Sequence, residues 1–173
     1  MSMRKEDLLQ ALRTLNDVLA EKQVKGEICL YGGAVMCLAY DARPSTKDVD
    51  AVFHPSAEIR SAAEETGRRL GLPEGWLNDG VKGFLVDHPQ KVFLPLSNLT
   101  VLIADAEYLF AMKALAARVD TTDRSDARLL LERMGVKRLD DALALVEKYY
   151  PRKMIKPATL YFLEDLFENA PDA

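Results

Sequence analysis

Cysteine is nearly missing from these 173 residues: Cys29 and Cys37 are the only two. One falls in an expected buried strand and the other in an expected helix, so they form neither a disulfide framework nor a zinc ligand set. No apolar run approaches the ~20 residues of a membrane span. The N-terminal stretch MSMRKEDLLQALRTL scatters charges among its leucines, whereas a signal peptide needs an unbroken apolar core. Together these absences point to a cytoplasmic protein with no membrane partner. An excess of positive charge is missing too. A net charge of −4 argues against a protein that grips long nucleic acid by bulk electrostatics. One local basic run exists, KYYPRKMIKP at 148–157, where Lys148, Arg152, Lys153 and Lys156 surround Tyr149 and Tyr150. It reads first as a solvated loop between two helices. There is no internal repeat and no low-complexity tract.

What is present is an ordinary globular composition, 49% hydrophobic and 29% charged, in a chain long enough to bury a core. Residues 5–22 carry Leu8, Leu9, Leu12, Leu15 and Leu19 at helical spacing. EICLYGG then reads as a short buried strand, AVMCLAY as a helix opened by glycines, and DVDAVF as a second strand. Between them Pro44 fixes its own φ and pushes Arg43 out of helical geometry. SAEIRSAAEETGRRLG reads as a helix ended by Gly71. Residues 72–90 are loop-rich and carry no clear period; Trp76 within them is expected to anchor that loop to the core. KVFLPL and NLTVLIA predict two strands joined by a tight turn at Ser97-Asn98. From Asp105 onward the spacing predicts helices over 105–119, 123–134, 138–149 and 157–168, with Pro157 well placed at a helix start. The fold class that follows is α/β (α+β): a small mixed sheet flanked by helices over residues 1–104, then a helical region over 105–173.

The chemistry concentrates in LYGGAVMCLAYDARPSTKDVDAVF, residues 30–53. Side chains two apart on a strand share a face, so Asp48 and Asp50 should project together while Val49, Ala51 and Phe53 enter the core. Two neighbouring carboxylates resist joint ionisation unless a cation lies between them. Mg²⁺, or Mn²⁺ in its place, suits such a pair, because Mg²⁺ takes one or two carboxylates together with water and phosphate oxygens. Two solvent-facing aspartates are the alternative. Gly32 and Gly33 let the backbone approach a ligand closely, or simply make a tight turn. Ser45 and Thr46 add hydroxyls just ahead of the second strand.

In its order of apolar residue, Gly-Gly, helix and Ser/Thr-x-Asp-x-Asp, this stretch resembles the signature of the nucleotidyltransferase superfamily, the polymerase-beta-like fold. A second stretch, YLFAMKALAARVDTTDRSDARLLLE at 108–132, is similar to the Lys…Arg…Asp-x-x-Asp region of bacterial nucleotidyltransferase-like proteins, type IV abortive-infection toxins among them. The ending YYPRKMIKPATLYFLEDLFE also resembles the C-terminus of an uncharacterised subset of these domains. The resemblance implies Mg²⁺-dependent transfer of a nucleoside monophosphate from an NTP to a tRNA, protein or small-molecule acceptor, and a role as the toxin of a toxin–antitoxin pair. It implies a metal held by Asp48 and Asp50, and nucleotide contacts from Gly32, Gly33, Ser45, Thr46, Lys113 and Arg118. Asp123 and Asp126 fall at helical site positions, and catalytic roles pass to Asp48, Asp50, Lys113 and Asp126.

Two features of the residues themselves bear on these roles. Lys113 lies in an apolar helical stripe with Leu109, Phe110, Ala116 and Ala117, which is costly unless its ammonium meets an anion. That anion is either a nucleotide phosphate or a carboxylate of the chain. Asp123 and Asp126 have a second explanation at the positive end of a helix. The third carboxylate usual in active members is not evident. NLTVLIA offers Asn98 and Thr100 but no acid, leaving Asp79 and Asp87 in the loop as substitutes. The rival reading is therefore a nucleotidyltransferase fold that binds a nucleotide or a partner without catalysis.

Overall fold

The computed structural model describes residues 1–117 and 121–169, and the chain divides into two compact units: Met1–Leu85 with Gln90–Ala104, and Val86–Pro89 with Asp105–Ala173. The first unit runs β1 (Met3–Arg4), α1 (Lys5–Glu21), β2 (Gly26–Tyr31), α2 (Gly32–Leu38), β3 (Ser45–Thr46), β4 (Val49–His54), α3 (Ser56–Leu70), β5 (Leu77–Asn78), β6 (Gln90–Pro95) and β7 (Leu99–Ala104). A short 3-10 turn, Gly80–Phe84, follows β5. The fold is thus a mixture of helix and sheet, as the patterning predicts. No helix among the described residues is long and apolar enough to cross a membrane.

One five-stranded sheet, in the order β5-β4-β2-β7-β6, organises this unit. Its pairing is mixed: β2 runs antiparallel to β4 but parallel to β7. The alternation of side chains splits it into two unlike faces. Ile28, Leu30, Val49, Ala51, Val101 and Ile103 are buried on one face. The leucine stripe of α1 is buried with them, and α1 packs on α3. The other face carries Asp50, Tyr31, Cys29, Leu102 and Thr100, brought side by side by the register Tyr31↔Asp50, Cys29↔Leu102 and Glu27↔Thr100.

Local chemistry explains the element ends. Asp7 accepts the backbone N–H of Arg4 at 2.9 Å and so closes the first turn of α1. Gly71, at φ +66°, takes the left-handed position that ends α3. The turn between β6 and β7 is held from α1, where Asn16 Oδ1 accepts the Asn98 N–H at 2.7 Å. Trp76 is buried, and its indole N–H donates to the Ala63 carbonyl on α3 at 2.9 Å, which anchors the loop that precedes β5.

Both cysteines are buried and free. Burial pushes the Cys29 thiol from its ordinary 9.0 up to about 11 and raises that of Cys37 as well. At pH 8 the folded protein is therefore expected to react slowly with iodoacetamide and to expose two reactive thiols on unfolding. The sign for stability follows. Between pH 9.0 and about 11 the unfolded Cys29 loses its proton first, so stability falls as pH rises through that window. Rapid alkylation of Cys29 in the folded state would contradict this.

The second unit contains α4 (Ala106–Leu115), α5 (Thr121–Met134), α6 (Leu139–Tyr149) and α7 (Pro157–Glu168), with a 3-10 turn at Arg152–Met154. Asp105 caps α4 by accepting the Tyr108 N–H at 2.9 Å. Pro157 opens α7 as its first residue. The predicted helix over 105–119 ends earlier, at Leu115, and residues 118–120 lie outside the description. Aromatic packing holds the segment Val86–Pro89 in this unit. The His88 ring stacks on Tyr108 with centroids 3.7 Å apart. Tyr108 Oη accepts the Val86 N–H at 3.1 Å and meets the Tyr150 hydroxyl at 3.2 Å. The basic run at 148–157 is partly neutralised within the same unit, through Lys148–Glu107 at 2.6 Å and Arg152–Glu147 at 2.8 Å.

Candidate functional site

The Gly32–Gly33 turn follows directly on β2 and starts α2. Gly32 has φ +60°, and a Cβ placed there would lie 2.8 Å from Asp50 Oδ2. A Cβ on Gly33 would lie 2.7 Å from Thr46 Oγ1 and 3.0 Å from Arg43 Nη1. The two missing side chains thus allow three others to close on the backbone: Asp50 over Gly32, and Thr46 with Arg43 over Gly33. Any L-residue at Gly32 must also adopt the left-handed region, which costs about 1–3 kcal/mol. Gly32→Ala is accordingly expected to lower stability by at least about 1 kcal/mol in urea unfolding, and a variant as stable as wild type would show that the turn relaxes freely.

Thr46 is held from two sides. Its strand β3 pairs with β1 in the register Met3↔Thr46 and Arg4↔Ser45, and its hydroxyl donates to the Asp48 carbonyl at 3.1 Å. Ser45, the neighbouring candidate, accepts a hydrogen bond from the Ser2 hydroxyl at 2.6 Å. That hydrogen bond ties it to the N-terminal segment.

The two aspartates differ in setting. Asp50 lies within β4 and is half-buried, whereas Asp48 is exposed and sits one residue ahead of the strand, which starts at Val49. That corrects the expectation of both on one strand. The backbone leaves β3 by a bend at Lys47, and regular pairing resumes only when Val49 meets Leu77. A side chain from β5 links the two. Asn78 is the register partner of Asp50, and its amide N–H donates to Asp48 Oδ2 at 3.3 Å. The Gly80 N–H, donating to Asn78 Oδ1 at 3.2 Å, fixes which end of that amide faces Asp48.

No third acid joins them. Among the described residues no group of three or more His, Cys, Asp or Glu is gathered for a metal. On the Asp50 face β7 presents Thr100 and Leu102. Asp79 is turned toward α3, where Arg60 binds it at 2.9 Å and also lies 5.6 Å over the Phe53 ring. Phe53 belongs to the buried face of β4, opposite Asp50. That guanidinium holds the Asp79 carboxyl below the ordinary carboxylate value. Asp87 belongs to the second unit. Two carboxylates fit one Mg²⁺ that completes its shell with water and phosphate oxygens. They do not by themselves furnish a two-metal site.

The remaining candidates lie in the helical unit and meet each other there. Lys113, 11% exposed at its side chain, reaches Asp126 Oδ2 at 2.7 Å and Asp123 Oδ1 at 3.3 Å, and Asp126 is 1% exposed. Of the two anions open to this lysine in the sequence, the carboxylates of its own chain are the ones within ion-pair distance. Arg118 lies outside the described residues.

Two residues at the turn escape a reading of the sequence. Arg43 looks like part of a Pro-broken linker, and Asn78 sits in a stretch whose two-residue strand has no period to detect. A cavity of about 750 Å³ under the end of α3, lined by Phe53, Arg60, Gly67, Trp76 and others, includes none of the candidate residues. Comparison of the chain with protein-family models, with curated proteins and with solved structures finds no match.

Proposed function

We propose that this is a cytoplasmic nucleotidyltransferase-type protein that binds an NTP with Mg²⁺ at the Gly32–Gly33 turn and transfers its nucleoside monophosphate to an acceptor. The observation that carries the proposal is the placement of the Asp50 carboxylate against Gly32 with Asp48 linked to it through Asn78. Asp48 and Asp50 would hold the ion, whose contribution is to offset charge on the phosphates. Thr46 offers a hydroxyl beside the turn, and the glycine backbone admits a phosphate without a side chain in the way. In the reaction the acceptor hydroxyl oxygen bonds to the α-phosphorus, the bond to the bridging oxygen of the β-phosphate breaks, pyrophosphate leaves, and the hydroxyl proton passes to solvent. A tRNA end, a protein hydroxyl and a small alcohol are the acceptor classes, and a toxin held in check by an antitoxin is the biological role consistent with them.

The test is incubation with each labelled NTP, Mg²⁺ and bulk tRNA, scored for label in the acceptor. Transfer that requires Mg²⁺ and is lost in Asp50→Asn supports the proposal. Transfer that persists in Asp50→Asn moves the chemistry elsewhere.

One observation favours a second reading, a nucleotide- or partner-binding module. With no third carboxylate gathered among the described residues, the group that would help activate an acceptor hydroxyl is missing. On this reading NTP binding needs Mg²⁺ and both aspartates, but no acceptor is labelled.

A further inference from the structure

We infer that Met3 is a positioning residue for this site: acting through Thr46, it sets where the Asp48 carboxylate stands. This rests on the Mg²⁺–NTP reading above and gives that site a part that neither sequence motif contains. Asp48 raises the question, because it lies outside the strand that holds Asp50. It is exposed and precedes β4 by one residue. A ligand on a bend serves a metal only when neighbouring groups fix the bend.

Three contacts fix it. On the C-terminal side the Val49 N–H donates to the Trp76 carbonyl at 2.7 Å. Asn78 reaches the carboxylate itself at 3.3 Å. On the N-terminal side the Thr46 hydroxyl donates to the Asp48 carbonyl at 3.1 Å, bridging the bend at Lys47. That third contact depends on where Thr46 stands. β3 has only two residues, and its sheet partner is β1. Met3 is the register partner of Thr46 and is 0% exposed, so it anchors the pairing in the core. The anchor is fixed in its turn. Arg4 donates its backbone N–H to Asp7 at 2.9 Å, which joins β1 to the first turn of α1. The Ser2 hydroxyl, on the other side of Met3, donates to Ser45 Oγ at 2.6 Å. Thr46 itself lies against the bare backbone of Gly33. A line of contacts thus runs from α1 through Met3 and Thr46 to Asp48.

The experiment measures MgATP affinity by calorimetry in wild type, Met3→Ala, Met3→Leu, Thr46→Val and the double variant Met3→Ala/Thr46→Val. Melting curves set a temperature at which each is folded. Leu19→Ala, a truncation at a buried position near the far end of α1, is the control for lost stability alone. Met3→Ala is expected to weaken MgATP by about tenfold, the low end for groups that orient a metal ligand. Met3→Leu should restore the affinity, and Leu19→Ala should leave it unchanged. The double variant should bind no more weakly than Thr46→Val, because Met3 acts through Thr46. In wild type, MgATP is expected to slow amide exchange in the peptide around Met3 as well as in that spanning Thr46 and Asp48. That readout needs no variant to fold. Wild-type affinity in a folded Met3→Ala, an equal loss in Leu19→Ala, or a loss that adds in full to that of Thr46→Val overturns the assignment and leaves the NTP reading standing. So does unchanged exchange around Met3 with MgATP bound. If wild type binds no MgATP, both fall together.

Discussion

Lys113→Ala is expected to destabilise the helical unit by about 3–5 kcal/mol, the cost of leaving a buried charge without its partner. Asp126 is 1% exposed and has Lys113 at 2.7 Å, with Asp123 sharing the same ammonium at 3.3 Å. Truncating the lysine takes the ammonium away from two carboxylates, one of them buried, and removes an aliphatic stem that is itself mostly buried. The pair is not therefore a large net source of stability. Replacing both partners by apolar residues of similar volume, Lys113→Met with Asp126→Leu, should recover most of the loss. Urea unfolding of the two single variants and the double variant checks this, with a coupling of well over about 1 kcal/mol expected for groups in direct contact. Additive single effects would mean that the two side chains act independently and that the ion pair is incidental. The consequence for function is a separation of readouts. A drop in nucleotide binding in Lys113→Ala cannot be credited to a phosphate contact unless the variant is shown to be folded.

How far the fold could be read from the sequence follows from where the signals are strong. The leucines of α1 repeat over about three turns, and the helix appears at Lys5–Glu21, within one residue of the expected end. Gly71 ends α3 because a left-handed residue is needed there, and only glycine takes it without strain. Short pairings are the ones that stay hidden. β1, β3 and β5 have two residues each, too few to show a period of two, and they exist because tertiary neighbours complete them. That is why the N-terminal clamp on Ser45-Thr46 and the approach of Asn78 to Asp48 are not legible in the chain. At the candidate site, Gly32, Gly33, Thr46, Asp48 and Asp50 stand out by residue type and spacing, and the structure gathers them around one turn. Partner choice is a different matter. Spacing shows that Lys113 needs an anion, yet whether that anion is a phosphate or Asp126 depends on how α5 packs on α4.

The carboxylate count gives the other large effect. Asp48→Asn with Asp50→Asn should remove Mg²⁺-dependent NTP binding, because an amide offers no charge to offset the ion's dehydration. Apo stability should stay level or rise slightly, since two neighbouring like charges, bridged by Asn78, no longer repel. Asn78→Asp makes the reciprocal case. It keeps the side-chain size, sits in register with Asp50 and within hydrogen-bond reach of Asp48, and turns two carboxylates into three. In the absence of Mg²⁺ this variant should melt lower than wild type, because the amide donor to Asp48 is replaced by a like charge. On adding Mg²⁺ it should gain more stability than wild type, as a ligand that binds only the folded state raises stability in proportion to the logarithm of its concentration over Kd. The crossing of the two melting trends with Mg²⁺ concentration is the distinguishing result, because a merely structural Asn78 predicts a lower melting point at every concentration. If Mg²⁺ shifts none of wild type, the double Asn variant and Asn78→Asp, these side chains hold no metal, and the turn and strand are structural alone.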